Sequence, residues 1–367
     1  MLKSLKIKNF RCFKEFDLPQ LGRVNLLVGR NNSGKTSILE ALHILNSPNS
    51  CNPFLDIVDF RGEYSWNEND SSEQIFDVNH LFHGHQMSKD SSFGLFGVDD
   101  YAKNIQFSFN HIINVSPNEL FSPPKDERKH SIGFINSSSS QSSEILFSLK
   151  WEGINDAAHT LYVPVNTPRH YVSRNTSELK NSQLIHLASS NVNTIIAQFN
   201  QIVLTPREEI LYESLRIIEP GIERIAPVVI HGHQRSRNGG FVVSINKQRV
   251  PIGSMGYGIW RILEITLAMV NIPGGTLLID EIDTGLHFSV MIDLWKLICK
   301  TAEKLDIQVF ATTHNSDCWK SLAEVANYDD IASDDITIHR IERDKKASIV
   351  FNEQEMAIAA ERDIEVR

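Results

Sequence analysis

Two hydrophobic periods alternate along this chain. Leu5 and Ile7, flanked by Leu2 and Phe10, alternate with polar neighbours, and that period of two predicts a strand. A second strand continues through Phe16 and Leu18, and residues 19–22, opening on Pro19 and closing on Gly22, read as a turn. Val24-Asn25-Leu26-Leu27-Val28 is a short apolar run of the kind expected for a buried strand. The period then changes: Ile38, Leu39, Leu42 and Leu45 recur at helical spacing, and the turn formers of 47–53 end that helix.

Further along, 75–82 is apolar enough to pack on the core, and 104–109 and 145–151 read as strands of an antiparallel sheet. Between them 137–143 is low-complexity and reads as a surface loop, and 171–174 as a strand end. Residues 177–199 and 206–218 read as helices, the second with Ile210, Leu211, Leu215 and Ile218 in one stripe, broken by Pro220-Gly221. Strands are expected at 222–230 and 240–251, with Asn238-Gly239-Gly240 near the turn between them. A helix over 259–270 has an almost fully apolar inner face. Buried strands at 276–280 and 308–313 bracket a helix at 290–305, and 336–341, 347–351 and 353–361 suggest a closing hairpin and helix. There is no internal repeat and no heptad run.

Composition narrows the class. A length of 367 residues with 41% hydrophobic residues supplies a real core for one large domain or two lobes. The net charge of -9 argues against a broad nucleic-acid-coating surface, while leaving room for a local basic groove. Cys12, Cys51, Cys299 and Cys318 are scattered without a C-x-x-C pair, as reduced thiols of a cytoplasmic protein would be. Residues 1–10 show strand patterning rather than a signal peptide, and no stretch approaches the roughly 18 apolar residues a membrane span needs.

The chemistry centres on Gly29 to Thr36, a complete G-x-x-x-x-G-K-[ST] loop between strand and helix. Such a loop turns backbone N–H groups from Gly29, Asn31, Asn32, Ser33, Gly34 and Ser37 toward a triphosphate. Lys35 reaches the β/γ-phosphates and Thr36 ligates Mg²⁺. Residues 277–281 form an apolar strand ending in Asp280-Glu281. In P-loop enzymes an aspartate there holds Mg²⁺, and a glutamate directly after it orients and deprotonates water. Two exposed acids at a strand end are the bland alternative. Gly253-Ser254-Met255-Gly256-Tyr257-Gly258 precedes a helix that Ser254 can cap while donating to a phosphate. His314 closes the next strand, where it can contact a γ-phosphate.

With these motifs in order, the chain resembles the ABC-type ATPases of the RecF/SMC/OLD group. The resemblance rests on Asn9-Phe10-Arg11, Gly29 to Thr36, Ser254 to Gly258, Asp280-Glu281, Asp283 to His287, and His314. It looks nearest to stand-alone OLD-like AAA family ATPases, including those of antiphage defence. The resemblance implies an α/β P-loop NTPase with an ABC-type head: a mixed sheet flanked by helices, plus an antiparallel β lobe. It implies one ATPase domain over 1–367, with a β-rich lobe at 54–170 and a helical subregion at 175–225. Signature, Walker B and switch fall in 226–328, and a hairpin and helix in 329–367. ATP and Mg²⁺ are the implied ligands. Two heads would dimerise, or form a higher oligomer, with Ser254 and Gly256 acting in trans on the partner's γ-phosphate. Arg11 would lie near the nucleotide. Lys35, Glu281 and His314 would be catalytic, and Thr36 and Asp280 metal ligands. Gln74 and Gln86 compete for the family's Q-loop position.

The interval between loop and signature lacks the coiled coil of SMC proteins, and the stretch beyond His314 is too short for the TOPRIM nuclease domain of full OLD proteins. The expected function is an ATP-driven switch over a separate nuclease or toxin, in a cytoplasmic protein with no membrane partner. A RecF-like repair ATPase that binds DNA directly, a structural scaffold and a transporter subunit are the alternatives. His80, His83 and His85, and His231 and His233, have metal-like spacing that no cysteine completes. Arg235 and Arg237 could contact DNA or a partner, and Asp334 and Asp335 read as a solvated turn.

Overall fold

The computed structural model describes residues 1–48, 50, 52–66, 74–88, 91–101, 104–112, 146–154, 157–164, 182–186, 192–228, 240–327, 336–362 and 364–366. They divide into two compact units, one of 1–21, 36–180 and 342–348, the other of 22–35, 181–341 and 349–367.

The first unit is built on an antiparallel sheet. Its strands are β1 (Leu2–Phe10), β2 (Phe13–Leu18), β6 (Ser92–Asp99), β7 (Asn104–Ile112), β8 (Leu146–Ile154) and β9 (Ala157–Pro164), in the order β2-β1-β6-β7-β8-β9. The register pairs Leu5 with Leu18, Ile7 with Phe16 and Phe10 with Phe13, so the apolar half of each alternation shares the buried face. Phe93, Phe107, Phe109 and Trp151 continue that face across the sheet. Phe93 stacks on Phe109 at 5.0 Å between ring centroids, and Phe107 lies 4.8 Å from Trp151. The buried Trp151 indole donates to the Ile44 carbonyl at 3.0 Å, tying the sheet to α1 (Lys35–Leu45). A second helix, α2 (Asn52–Arg61), starts where only a helix stop was expected. Pro53 belongs to its first turn, where a missing N–H is harmless. A two-stranded ribbon, β4 (Tyr64–Trp66) and β5 (Gln74–Phe76), completes the description of this unit.

The second unit holds a mixed sheet of β3 (Val24–Val28), β10 (Ser182–Ile185), β14 (Thr276–Ile279), β15 (Gln308–Thr313), β16 (Ile336–Arg340) and β17 (Ile349–Phe351). Its order is β10-β14-β15-β3-β16-β17, parallel except for the last strand. β3, β14 and β15 are buried at every residue, so their sequences are mostly apolar, and the polar residues they do carry, Asn25, Thr276, Gln308, Thr312 and Thr313, are buried with them. Helices α3 (Val192–Ile202), α4 (Glu208–Arg216), α5 (Tyr257–Val270), α6 (Met291–Lys304), α7 (Ser316–Ala326) and α8 (Glu353–Glu361) share one continuous apolar core with those strands. A small sheet of β11 (Ile222–Pro227), β12 (Phe241–Ile245) and β13 (Gln248–Pro251) joins the same core. The expected α/β class is therefore observed, with a mixed sheet and helices in one unit and an antiparallel sheet in the other.

Three readings of the sequence are corrected. Within 177–199, residues 182–185 are strand β10 and not helix. Their parallel pairing with β14, nearly a hundred residues later in the chain, overrides local propensity. The strand expected over 240–251 folds back on itself at Asn246-Lys247, whose φ values of 49° and 64° make the tight hairpin turn that matches strand twist. Helix α7, not expected from the pattern, begins after Asn315, whose side chain caps it by accepting from the Asp317 N–H. Residues 137–143, 171–174, His231, His233, Arg235, Arg237, Asp334 and Asp335 lie outside the described residues.

Candidate active site

Parallel order decides where the chemistry collects. In β10-β14-β15-β3 every strand runs the same way, so all four end at one edge of the sheet. There β14 delivers Asp280 and Glu281, β15 delivers His314, and β3 delivers the loop that starts at Gly29. Ligand sites of open parallel sheets form at this carboxyl edge.

The loop is shaped by its backbone. Gly29 has φ 148°, and a Cβ on it would come within 2.5 Å of the Ile341 carbonyl oxygen, so only glycine fits. Asn32 is left-handed at φ 61° and Gly34 at 104°. Arg30, Asn31 and Asn32 are exposed, Ser33 and Lys35 are buried, and the buried Ser33 Oγ has no hydrogen-bond partner. Lys35 Nζ donates back to the carbonyls of Gly29 (2.7 Å) and Arg30 (3.0 Å). Burial lowers its pKa, and the Asp280 and Glu281 carboxylates work against that fall. A curled loop with a spare buried hydroxyl and an ammonium facing two acids fits a phosphate chain. Thr36, half-buried, is the second residue of α1.

The acidic pair is held from three sides. Thr312 Oγ1 donates to Asp280 Oδ1 (2.7 Å) and accepts from the Glu281 N–H (2.8 Å), while the Asp280 N–H donates to the Ile185 carbonyl (2.9 Å). Glu281 adopts φ 48°, a left-handed conformation, and its carboxylate faces His314 Nδ1 at 3.6 Å and the Thr284 hydroxyl at 3.4 Å. Thr313 Oγ1 donates to Asp283 Oδ1 at 2.7 Å, so β15 grips the segment beyond the pair as well. Neither threonine was assigned a role from sequence. The two adjacent threonines before His314 were the available signal.

Other expected site residues are placed differently. Ser254 does not cap the helix after it: it lies exposed in the 3₁₀ turn Ile252–Met255, and Gly256 is the N-cap of α5 without a side-chain bond. Arg11 is 4% exposed and committed within the first unit. It donates to Glu40 (2.9 Å), Glu63 (2.5 Å) and the His80 carbonyl (3.0 Å), while Arg61 meets the other Glu40 oxygen at 2.5 Å. The Ser37 side chain pairs with the Cys12 thiol, whose pKa is raised chiefly by burial. His80 and His85 face each other at 3.3 Å between Nδ1 atoms. Among the described residues no three His, Cys, Asp or Glu side chains gather to hold a metal. No helix among them is long and apolar enough to cross a membrane.

The sequence profile of the AAA ATPase domain matches residues 1–220. The chain belongs to that family. It is 24% identical over 356 residues to an ATP/GTP phosphatase of Helicobacter pylori, covering 90% of each chain. Over 45 residues it is 51% identical to the DNA replication and repair protein RecF of Clostridioides difficile, a stretch that is 12% of either protein. Among solved structures, an SMC head bound to the C-winged helix domain of ScpA is similar at 13% identity and a TM-score of 0.46, covering 96% of this chain and 98% of that one.

Proposed function

We propose that this ATPase binds Mg-ATP on the Gly29 loop and works as a nucleotide-controlled switch. The observation that carries the reading is the gathering of the Lys35 loop, Asp280-Glu281 and His314 at one sheet edge. Lys35 neutralises phosphate charge. The Glu281 carboxylate orients the attacking water and takes its proton, and His314, within ion-pair range of that carboxylate, senses the γ-phosphate. Asp280 and Thr36 offer a carboxylate and a hydroxyl, the oxygen donors Mg²⁺ takes, and the ion would supply charge neutralisation at the phosphates. Ser254 and Gly256 are exposed just before α5, and in this reading they meet a second copy, so that two heads close around two nucleotides and hydrolysis loosens them. The switch controls a separate nuclease or toxin in antiphage defence.

Phosphate release and sedimentation test the first part. Lys35→Ala should lose ATP binding, and Glu281→Gln should bind ATP, stop turning over and accumulate as an ATP-dependent dimer. Wild-type turnover by Glu281→Gln would overturn the reading. Phage challenge of cells carrying Lys35→Ala tests the second part, since unchanged protection removes the defence role. The 45-residue match to RecF favours one other reading, a repair ATPase that holds DNA directly. It predicts ATP-promoted DNA binding that weakens steeply with salt.

A further inference from the structure

A buried arginine connects α5 to the acidic pair. Arg261 is 1% exposed in a helix whose buried face is otherwise almost entirely apolar, with Glu264 one turn on. Its Nη2 donates to the backbone carbonyls of Asp280 (2.6 Å) and Glu281 (3.2 Å), and Nη1 to Glu264 Oε2 (3.3 Å). These two carbonyls flank the left-handed Glu281, a conformation that crowds the Cβ of any residue other than glycine. Something must hold it, and a planar, permanently charged donor that spans two consecutive carbonyls does so. Thr312 fixes the N–H side of the same segment; Arg261 fixes the carbonyl side.

We infer that Arg261 is a positioning residue for hydrolysis: it sets the Asp280-Glu281 backbone so that the Glu281 carboxylate meets the water at the γ-phosphate, and it makes that setting depend on where α5 lies. The inference rests on Glu281 acting on water as proposed above. The helix that carries Arg261 is capped at Gly256, and its first turn touches the segment after the acids: a Cβ on Gly258 would lie 3.0 Å from the Gly285 carbonyl oxygen. Motion of α5 therefore reaches the acidic segment at two points, through Arg261 at Glu281 and through Gly258 at Gly285. A displacement of about 1 Å at a catalytic group commonly lowers rate by about a hundredfold.

The experiment uses purified full-length Arg261→Met, Arg261→Lys, Glu281→Gln and the double variant Arg261→Met/Glu281→Gln. It reads single-turnover phosphate release, ATP affinity and thermal unfolding. Arg261→Met is expected to turn over about a hundredfold more slowly with ATP affinity within about threefold of wild type. Arg261→Lys, which keeps a cationic donor, should recover part of the rate. The double variant should be no slower than Glu281→Gln alone, because both act through one carboxylate. Near-wild-type turnover by Arg261→Met overturns the inference, as does a double variant slowed by the product of the two effects. If Arg261→Met is unfolded, Arg261→Lys decides: slower turnover at an unchanged unfolding temperature supports the inference, and wild-type turnover overturns it. Should Glu281→Gln itself turn over normally, the reading of Glu281 fails first, and that result is distinct from any failure at Arg261.

Discussion

His339 makes a measurable demand on the pH dependence of stability. It lies fully buried on β16, beside the strand that carries the phosphate loop, paired with Leu27 in the sheet register. The Thr337 hydroxyl donates to Asn25 Oδ1 (2.9 Å), so it accepts from His339 Nε2 at 3.1 Å, and that nitrogen carries the proton of a neutral ring. Burial lowers the pKa from 6.5 to about 4. The unfolded chain therefore binds this proton more readily than the folded one. Stability is fully present above the unfolded value and is lost as pH falls through the window between the two. The whole shift is worth about 3 kcal/mol, of which about 2 kcal/mol is gone by about pH 5. Urea unfolding detected by tryptophan fluorescence reads it, since Trp295 and Trp319 sit in the core of the same unit. His339→Gln keeps an N–H donor and does not titrate. Between about pH 7.5 and about pH 5 the wild type should lose about 2 kcal/mol more than this variant. Parallel losses in the two proteins would refute the argument.

Packing and charge carry three further predictions. Glu40 is fully buried between Arg11 and Arg61, so Glu40→Ala strands two arginines and should destabilise by about 3–5 kcal/mol in chemical denaturation. Trp151→Phe removes the shorter of two donors to the Ile44 carbonyl, which keeps the Ser47 N–H at 3.3 Å, and should lower stability by about 1 kcal/mol in the same assay. Gly285 has φ 77° and faces Tyr257 so closely that a Cβ would lie 2.2 Å from its ring. Gly285→Ala should lower the unfolding temperature by a few degrees, by way of about 1–3 kcal/mol of strain, and slow phosphate release.

The parallel sheet was the most legible part of the fold because its strands are buried on both faces. Residues 24–28, 276–279 and 308–313 are short runs made mostly of apolar residues, the pattern that burial on both faces imposes. The polar strand Ser182–Ile185 was not, since nothing local distinguishes it from the start of a helix and only its distant partner makes it extended. The hairpin at Asn246-Lys247 was missed because lysine replaces the glycine that normally marks a left-handed second turn position. At the site, motif spacing pointed to Gly29 to Lys35, Asp280, Glu281 and His314. It did not point to Arg261, whose Nη2 grips the carbonyls of Asp280 and Glu281, and Thr312 was marked only by its place two residues before His314. Arg11 was singled out through the resemblance as lying near the nucleotide, and its pairing with Glu40 and Glu63 was not legible in the sequence.

The place of β3 in its sheet also sets a timetable for synthesis. Val24 to Val28 is synthesised well before its two neighbours, β15 and β16, which end at Thr313 and Arg340. At about 5–20 residues per second, the strand waits about 15–60 s for the first partner it can pair with. For that interval the ribosome-bound chain displays an apolar strand with both edges open, a natural client for holding chaperones. A ribosome stalled before β15 would release a chain in which the phosphate loop has no sheet to stand on. The capacity to bind nucleotide thus reports that translation has passed the later strands, so an active ATPase is by construction one whose distal half has been made.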